Sequence, residues 1–327
     1  MLSETRAWWP VRSSGVTVRL TVDTEAWRGH VERTARALPG LVPVVKGNGY
    51  GFGRGPLSAI AAELADTIAV GTVHELDHIP AGVTTAVLTP TRHAPADPAV
   101  ILTVGSLDHV HALAGWPGRV IVKLASSMRR FGATRDELGT LTAAVRAAGL
   151  DVAAFGIHPP VAGSDDEHLD DISSWLDVLD PGDEVWVSHV SAPAYRDLRD
   201  AWSERRLRIR AGTALWHGDK AALHLGADVL DVRAIRGGEP AGYRQRVVPH
   251  DGTLVMIGAG TAHGIHELED GRSPFHFARR RLPLLEPPHM HTSMAVVPDD
   301  EPAPKPGDTV DVQWPLIATS VDEVRWR

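Results

Sequence analysis

Short apolar runs recur through the first two thirds of the chain, each of strand length and each followed by a polar or turn-rich stretch. They lie at 41–45, 67–71, 85–89, 100–104, 119–124, 152–157, 184–188 and 208–211. Most intervening stretches carry helical periodicity; at 136–150, Leu138, Leu141, Val145 and Ala148 share the one face a sheet-packed helix would bury. Strands alternating with helices form parallel sheets, and eight such units predict a closed (β/α)8 TIM barrel with its chemistry at the carboxyl ends of the strands. The third and fourth units leave room for little helix, because Pro90, Pro95 and Pro98 interrupt them.

Two further patterns flank the barrel. Residues 16–23 alternate apolar and polar like a half-buried strand, and Asp23 or Thr24 can cap a helix running to about Leu38. After Leu223 the texture changes to short strands at 229–235, 247–249, 254–257 and 309–312, which predict a smaller, mostly β domain, with 299–306 as an exposed loop.

Composition narrows the classes. A net charge of −8 disfavours a nucleic-acid or anionic-membrane surface, and no apolar run approaches the roughly 20 residues of a spanning helix. Residues 1–10 lack the apolar core of a secretory signal, so the expected compartment is the cytoplasm. The absence of cysteine excludes disulfides, thiolate metal sites and a cysteine nucleophile.

Chemistry concentrates where the first barrel strand ends, at Val42-Pro43-Val44-Val45-Lys46-Gly47-Asn48-Gly49-Tyr50-Gly51-Phe52-Gly53. A lysine closing a buried apolar run loses hydration, which lowers its pKa and frees the amine as a nucleophile able to form a Schiff base. The plainer alternative is a solvated lysine before a flexible loop. The glycines allow a tight turn around a ligand, and Tyr50 offers a hydroxyl to an anion. The pattern resembles the pyridoxal-phosphate lysine motif of the alanine racemase family. That resemblance implies that Lys46 bears the cofactor and Tyr50 touches its phosphate. Gly47 and Gly49 stand where the family usually has alanine, and Phe52 where it has histidine.

Other segments are similar to the same family. In Lys123-Leu124-Ala125-Ser126-Ser127-Met128-Arg129-Arg130-Phe131-Gly132, the likeness places Arg130 on the arginine that binds the substrate carboxylate and Lys123 on a carbamylated supporting lysine; Ser127 replaces a glycine. It assigns His158 to the cofactor wall and Ser191 to the phosphate. In Ile209-Arg210-Ala211-Gly212-Thr213, Arg210 falls opposite the pyridine nitrogen, with Gly212 and Thr213 at the phosphate. An always-charged guanidinium there discourages ring protonation and favours simple proton return. Tyr243, in Glu239-Pro240-Ala241-Gly242-Tyr243, falls on the second acid/base. Racemisation needs a base on each face of Cα, and Lys46 with Tyr243 makes a chemically sensible pair. A phenol titrating near 10 must then ionise near neutrality, about 4 kcal/mol of stabilisation. Met294 falls on the methionine whose amide helps bind the substrate carboxylate.

The resemblance further implies a barrel at 24–223 inserted into a β-domain made of 1–23 and 224–327, and a homodimer sharing its sites. Ala259 stands where the family carries an entrance tyrosine, which suggests a substrate other than alanine. Ala295 replaces an aspartate, and no tyrosine follows Tyr243 where the family has a further one. His263, His266, His289 and His291 have spacing that could bind zinc, though no metal is expected. The expected function is a pyridoxal-phosphate-dependent amino-acid racemase. The alternatives are a noncatalytic or regulatory cofactor-binding barrel and a D-amino-acid lyase or aldolase.

Overall fold

The computed structural model describes residues 17–327; the amino-terminal segment read above for a leader, and Val16 of the first strand, lie outside them. The chain divides into two compact units, Thr24–Lys220 and the residues up to Asp23 together with Ala221–Arg327. Strand β1 (Val18–Val22) belongs to the latter. Within Thr24–Lys220 come β2 (Leu41–Pro43), β3 (Thr67–Val70), β4 (Thr84–Val87), β5 (Ile101–Val104), β6 (Arg119–Lys123), β7 (Asp151–Gly156), β8 (Glu184–Val187) and β9 (Arg206–Ala211).

These eight strands form one parallel sheet in the order β2-β9-β8-β7-β6-β5-β4-β3. A parallel bridge between Val44 and Ala69, with the Val45 amide donating to the Ala69 carbonyl at 2.8 Å, joins the two ends into a barrel. Most of the runs are apolar because both strand faces are covered; β9 is the exception, with Arg206, Arg208 and Arg210 alternating with the buried Leu207, Ile209 and Ala211. Val42, Val44, Ala69, Ala86, Ile101, Ile121, Ala154 and Trp186 fill the barrel, each large aliphatic contributing about 1.5–3 kcal/mol by burial. Helix Arg135–Ala147 buries Leu141 and Val145 and starts in a capping box of Thr134 and Glu137. The third unit is thin as expected, since no helix occupies 88–100 and β4 meets β5 through the single pair Ala86–Ile101. The fourth does carry a short helix, Leu107–Ala112, after β5, while the second has only a 3₁₀ turn, Val73–His78, after β3.

The second unit is built on the long strand β10 (Leu223–Ile235), which pairs antiparallel with β1, with Thr309–Val312 and with Gly252–Ile257. Strand Ser293–Pro298 pairs with Gly252–Ile257, and Glu323–Trp326 lies parallel to β1. The Asp322 carboxylate accepts from the amides of Thr17 and Val18, fixing that parallel edge. Val18, Ala227, Val255, Ile257, Phe275 and Val310 are among the fully buried core residues. No helix of the described residues is long and apolar enough to cross a membrane.

Candidate active site

The strand β2 delivers Lys46 to the carboxyl end of the barrel. Its neighbours hold it from both sides: Val44 donates to Ala211 and Val45 to Ala69, each at 2.8 Å. The chain then turns sharply, with Gly49 in a left-handed conformation where a Cβ would fall 2.3 Å from the Gly53 carbonyl carbon. Alanine, the family's usual residue at this position, would not fit the turn made here. Tyr50 also takes a positive φ of 56°, and its ring is buried against His217, whose Nε2 lies 2.7 Å from the Tyr50 carbonyl.

Behind the turn sits an aromatic brace. Trp216 donates its indole N–H to the Val44 carbonyl at 2.8 Å, and Trp27 donates to the Trp216 carbonyl at 2.9 Å. Both tryptophans are fully buried, and Phe52 packs between Trp27 and His217. Phe52 thus has a packing role where the family pattern carries an imidazole. The brace ties the lysine turn to the segment after β9, which brings Gly212 against Tyr50. A Cβ on Gly212 would lie 2.0 Å from the Tyr50 hydroxyl, so the cradle requires glycine.

Lys46 itself is exposed, whereas the sequence suggested a buried ammonium. Its pKa is nevertheless lowered, by partial desolvation first and then by the positive charges of Arg130 and Arg210, with Glu75 opposing. Glu75 escaped the sequence reading. It follows β3 in the turn Val73–His78 and accepts from the Gly71 amide at 2.8 Å and the Gly47 amide at 3.3 Å. It therefore pins two backbone segments beside Lys46.

Arg210, on β9, donates to the Ile157 carbonyl at 2.6 Å and to the Ser188 hydroxyl at 3.3 Å, while its Nε is buried without a partner. Burial, then Arg130, lowers its pKa to about 10, still a cation at neutral pH. His158 Nδ1 lies 2.6 Å from the same Ser188 hydroxyl, and burial with the nearby Arg210 and Lys123 pushes its pKa down to about 2. It is a neutral imidazole at any working pH. Arg130 is exposed, its guanidinium 5.0 Å from the Phe131 ring centroid. Its loop is tied down by Asp171, which accepts from both the amide and hydroxyl of Ser127 at 3.1 Å. Thr213 is exposed at the start of the short helix Thr213–Trp216.

Ser191 stands apart from this group. It is exposed, its hydroxyl accepts from the Ala194 amide as the cap of helix Ala192–Ala201, and its own amide donates to Asp165 at 2.9 Å. In the other unit, Tyr243 is exposed at a hairpin tip, and Met294 lies in strand Ser293–Pro298 opposite Met256. Ala259 is fully buried in that unit's core, and its carbonyl accepts from Ser293. It lines no opening, so the entrance role inferred from its family position does not hold. The four histidines do not share one centre: His263 pairs with Asp322 and meets the His291 ring, His266 meets the Trp314 ring, and His289 pairs with Glu286. Among the described residues no three potential ligands converge on one point.

Lys123 is buried with its amine unpartnered. Burial, then Arg210 and Arg130, holds its pKa well below the usual lysine value against the pull of Asp171. Between that lowered pKa and the unfolded value near 10.4, the unfolded chain binds a proton that the folded chain does not, so stability rises with pH across this window. Lys123→Met removes the proton difference. In carbon-dioxide-free buffer the variant apoprotein should be more stable at pH 7 by about 1–3 kcal/mol and should gain less between pH 7 and 10. Thermal unfolding of both proteins checks this, and parallel profiles would contradict it.

At the carboxyl ends of this parallel barrel's strands lie a lysine of lowered pKa, two arginines and the close Tyr50–Gly212 pair. Residues 22–218 match the family described as alanine racemase, N-terminal domain. The chain belongs to the alanine racemase family. The fold is similar to the alanine racemase of Bartonella henselae with covalently bound pyridoxal phosphate (18% identity, 96% of this chain and 100% of that chain, TM-score 0.73). It is also similar to the biosynthetic alanine racemase of Pseudomonas aeruginosa (20% identity, 96% and 100% covered, TM-score 0.72). The alanine racemase of Bacillus anthracis with bound L-Ala-P gives 18% identity, 92% and 86% coverage and a TM-score of 0.73. No curated protein matches the sequence.

Proposed function

We propose that this protein is a pyridoxal-phosphate-dependent amino-acid racemase. The observation that carries the reading is the Lys46 amine, its pKa lowered by desolvation and by Arg130 and Arg210, at the carboxyl end of a barrel strand. The surrounding residues fit the cofactor. The Tyr50 hydroxyl against Gly212 leaves a cradle that a Cβ would fill, and the buried Arg210 Nε lacks a partner. Glu75, the neighbouring carboxylate, accepts from the Gly47 and Gly71 amides.

In this reading Lys46 holds the cofactor's aldehyde carbon, and Tyr50 with the Gly212 and Thr213 backbone holds the phosphate. Ser191 joins them only by giving up Asp165. When bound, pyridoxal phosphate supplies an electron-withdrawing ring that acidifies the Cα proton of an attached amino acid. Arg210 would keep that ring from full protonation, His158 would contribute a neutral wall, and Arg130 would grip the α-carboxylate. Lys123 would support Arg130 from within the barrel; its amine, when uncharged, can take up carbon dioxide as a carbamate, releasing one proton and giving both arginines an anionic partner. Lys46 moves the proton on one face of Cα and Tyr243, from the second copy in a homodimer, moves it on the other.

The test is deuterium incorporation at Cα for both enantiomers of a panel of amino acids, alanine and larger ones, using cofactor-loaded protein in deuterium oxide. The racemase reading expects exchange with inversion for at least one amino acid. Exchange with no amino acid would leave a cofactor-binding barrel without catalysis, and carbon–carbon cleavage without inversion would mean a lyase or aldolase.

A further inference from the structure

Tyr243 sits at the tip of a very short hairpin, Pro240–Ala241 paired with Arg246–Val247, joined by the turn Gly242–Gln245. Two-residue strands are too short to hold an exposed tip in one place, and the Tyr243 side chain is 86% exposed. Beneath the tip lies an unusual anchor. The Glu286 carboxylate, 1% exposed, accepts from the Tyr243 amide at 2.7 Å and the Arg244 amide at 2.9 Å. Gly242 takes a φ of +78°, and a Cβ there would lie 2.2 Å from Glu286 Oε1, so the turn is seated directly on the carboxylate. The same oxygen lies 2.5 Å from His289 Nε2. The His289 ring in turn meets the Tyr243 ring edge to face, centroids 4.6 Å apart. His289 is itself fixed, its amide donating to Thr292 and its carbonyl accepting from Thr261, both at 2.8 Å.

We propose that Glu286 and His289 are the positioning residues for Tyr243: Glu286 clamps the backbone of the tip, and His289 sets the plane of the phenol ring. The inference rests on the racemase reading, in which Tyr243 moves the proton on one face of Cα. A buried carboxylate is costly unless its hydrogen bonds are satisfied, and here they are spent on the two amides that flank the candidate acid/base and on the imidazole that touches its ring. Burial opposes ionisation of Glu286, but the Arg244 amide, His289 and the Tyr243 amide together hold its pKa below the ordinary glutamate value. The clamp is therefore set throughout the neutral range. Edge-to-face aromatic contact restricts a ring that the backbone alone would leave to rotate.

Two measurements on the full-length protein test this. In the apoprotein, hydrogen–deuterium exchange of a peptide covering 240–247 should quicken about tenfold in Glu286→Gln, the loss of roughly one charge-assisted hydrogen bond, while strand Gly252–Ile257 stays protected. In the cofactor-loaded protein, wash-in of deuterium at Cα is followed separately from L- and D-alanine. Glu286→Gln and His289→Ala should slow exchange from the one enantiomer served by Tyr243 by about ten- to a hundredfold. Exchange from the enantiomer served by Lys46, KM and the cofactor absorbance should not change. Equal loss from both enantiomers, or loss of cofactor, would mean a merely structural pair and overturns the proposal. Tyr243→Phe separates the two levels of the argument. If it slows one face and the clamp variants slow neither, the clamp is wrong and the racemase reading stands. If Tyr243→Phe slows neither face, the two-base reading fails and takes the clamp's role in the reaction with it.

Discussion

Lys46→Ala should lower racemisation by at least about a thousandfold and remove the cofactor's visible absorbance from protein that has passed through a desalting column. Three consequences meet in this one amine. It is the group that would hold the aldehyde, it is one of the two proposed bases, and its lowered pKa keeps a larger unprotonated fraction than an ordinary surface lysine has. The fold should survive, because Lys46 is exposed and the strand before it is held by Val44, Val45 and the Trp216 indole. Thermal unfolding of the variant apoprotein should therefore match the wild type. A variant that stays folded, retains cofactor and still racemises would remove Lys46 from the reaction.

The second large effect is expected at a residue with no side chain. Gly212→Ala places a methyl group 2.0 Å from the Tyr50 hydroxyl and 2.7 Å from its ring carbon. Tyr50 cannot retreat easily, since it is 5% exposed and its backbone is bonded to His217. Overpacking of this kind costs about 2 kcal/mol, which as lost affinity is roughly thirtyfold weaker cofactor binding. The measurement is a titration of apoprotein with pyridoxal phosphate followed by absorbance. Because the clash and the lost hydroxyl contact fall on the same pair, Tyr50→Phe combined with Gly212→Ala should be less damaging than the sum of the two changes. Full additivity would mean that Tyr50 and Gly212 do not form one cradle.

The barrel was legible because strands covered on both faces are mostly apolar, and most of the eight runs stand out against polar connections; Arg206–Ala211 alternates instead. Prolines 90, 95 and 98 marked the helix-free connection after β4 correctly, since each removes a helical donor, but the helix Leu107–Ala112 after β5 was not expected. The second unit was harder. Glu323–Trp326 alternates over only four residues, and Ser293–Pro298 was not among the expected strands. Their pairing partners are distant in sequence, and no local pattern announces them.

The same contrast holds at the site. Lys46, Tyr50 and Gly212 follow strand ends and Arg210 is the penultimate residue of β9, so their placement at the carboxyl end could be inferred from the barrel alone. Glu75 and Glu286 could not. Glu75 looks like an ordinary acid in a polar turn, and Glu286 precedes Pro287-Pro288 like a loop residue, yet it is hydrogen bonded to a backbone amide 43 residues away. Ala259 shows the converse failure. A family position suggested an entrance, whereas the packing around Val255, Ile257 and Phe275 makes it core.

The central claim is that Lys46 is the residue that takes the cofactor, and the sequence makes that claim unusually easy to test. It contains four lysines, Lys46, Lys123, Lys220 and Lys305. The protein would be incubated with pyridoxal phosphate, reduced with borohydride, digested and mapped by mass spectrometry. The account predicts one stoichiometric pyridoxyl adduct, on Lys46, with Lys220 and Lys305 labelled only in trace. A stoichiometric adduct on another lysine, or none at all with Lys46 recovered unmodified, would contradict it.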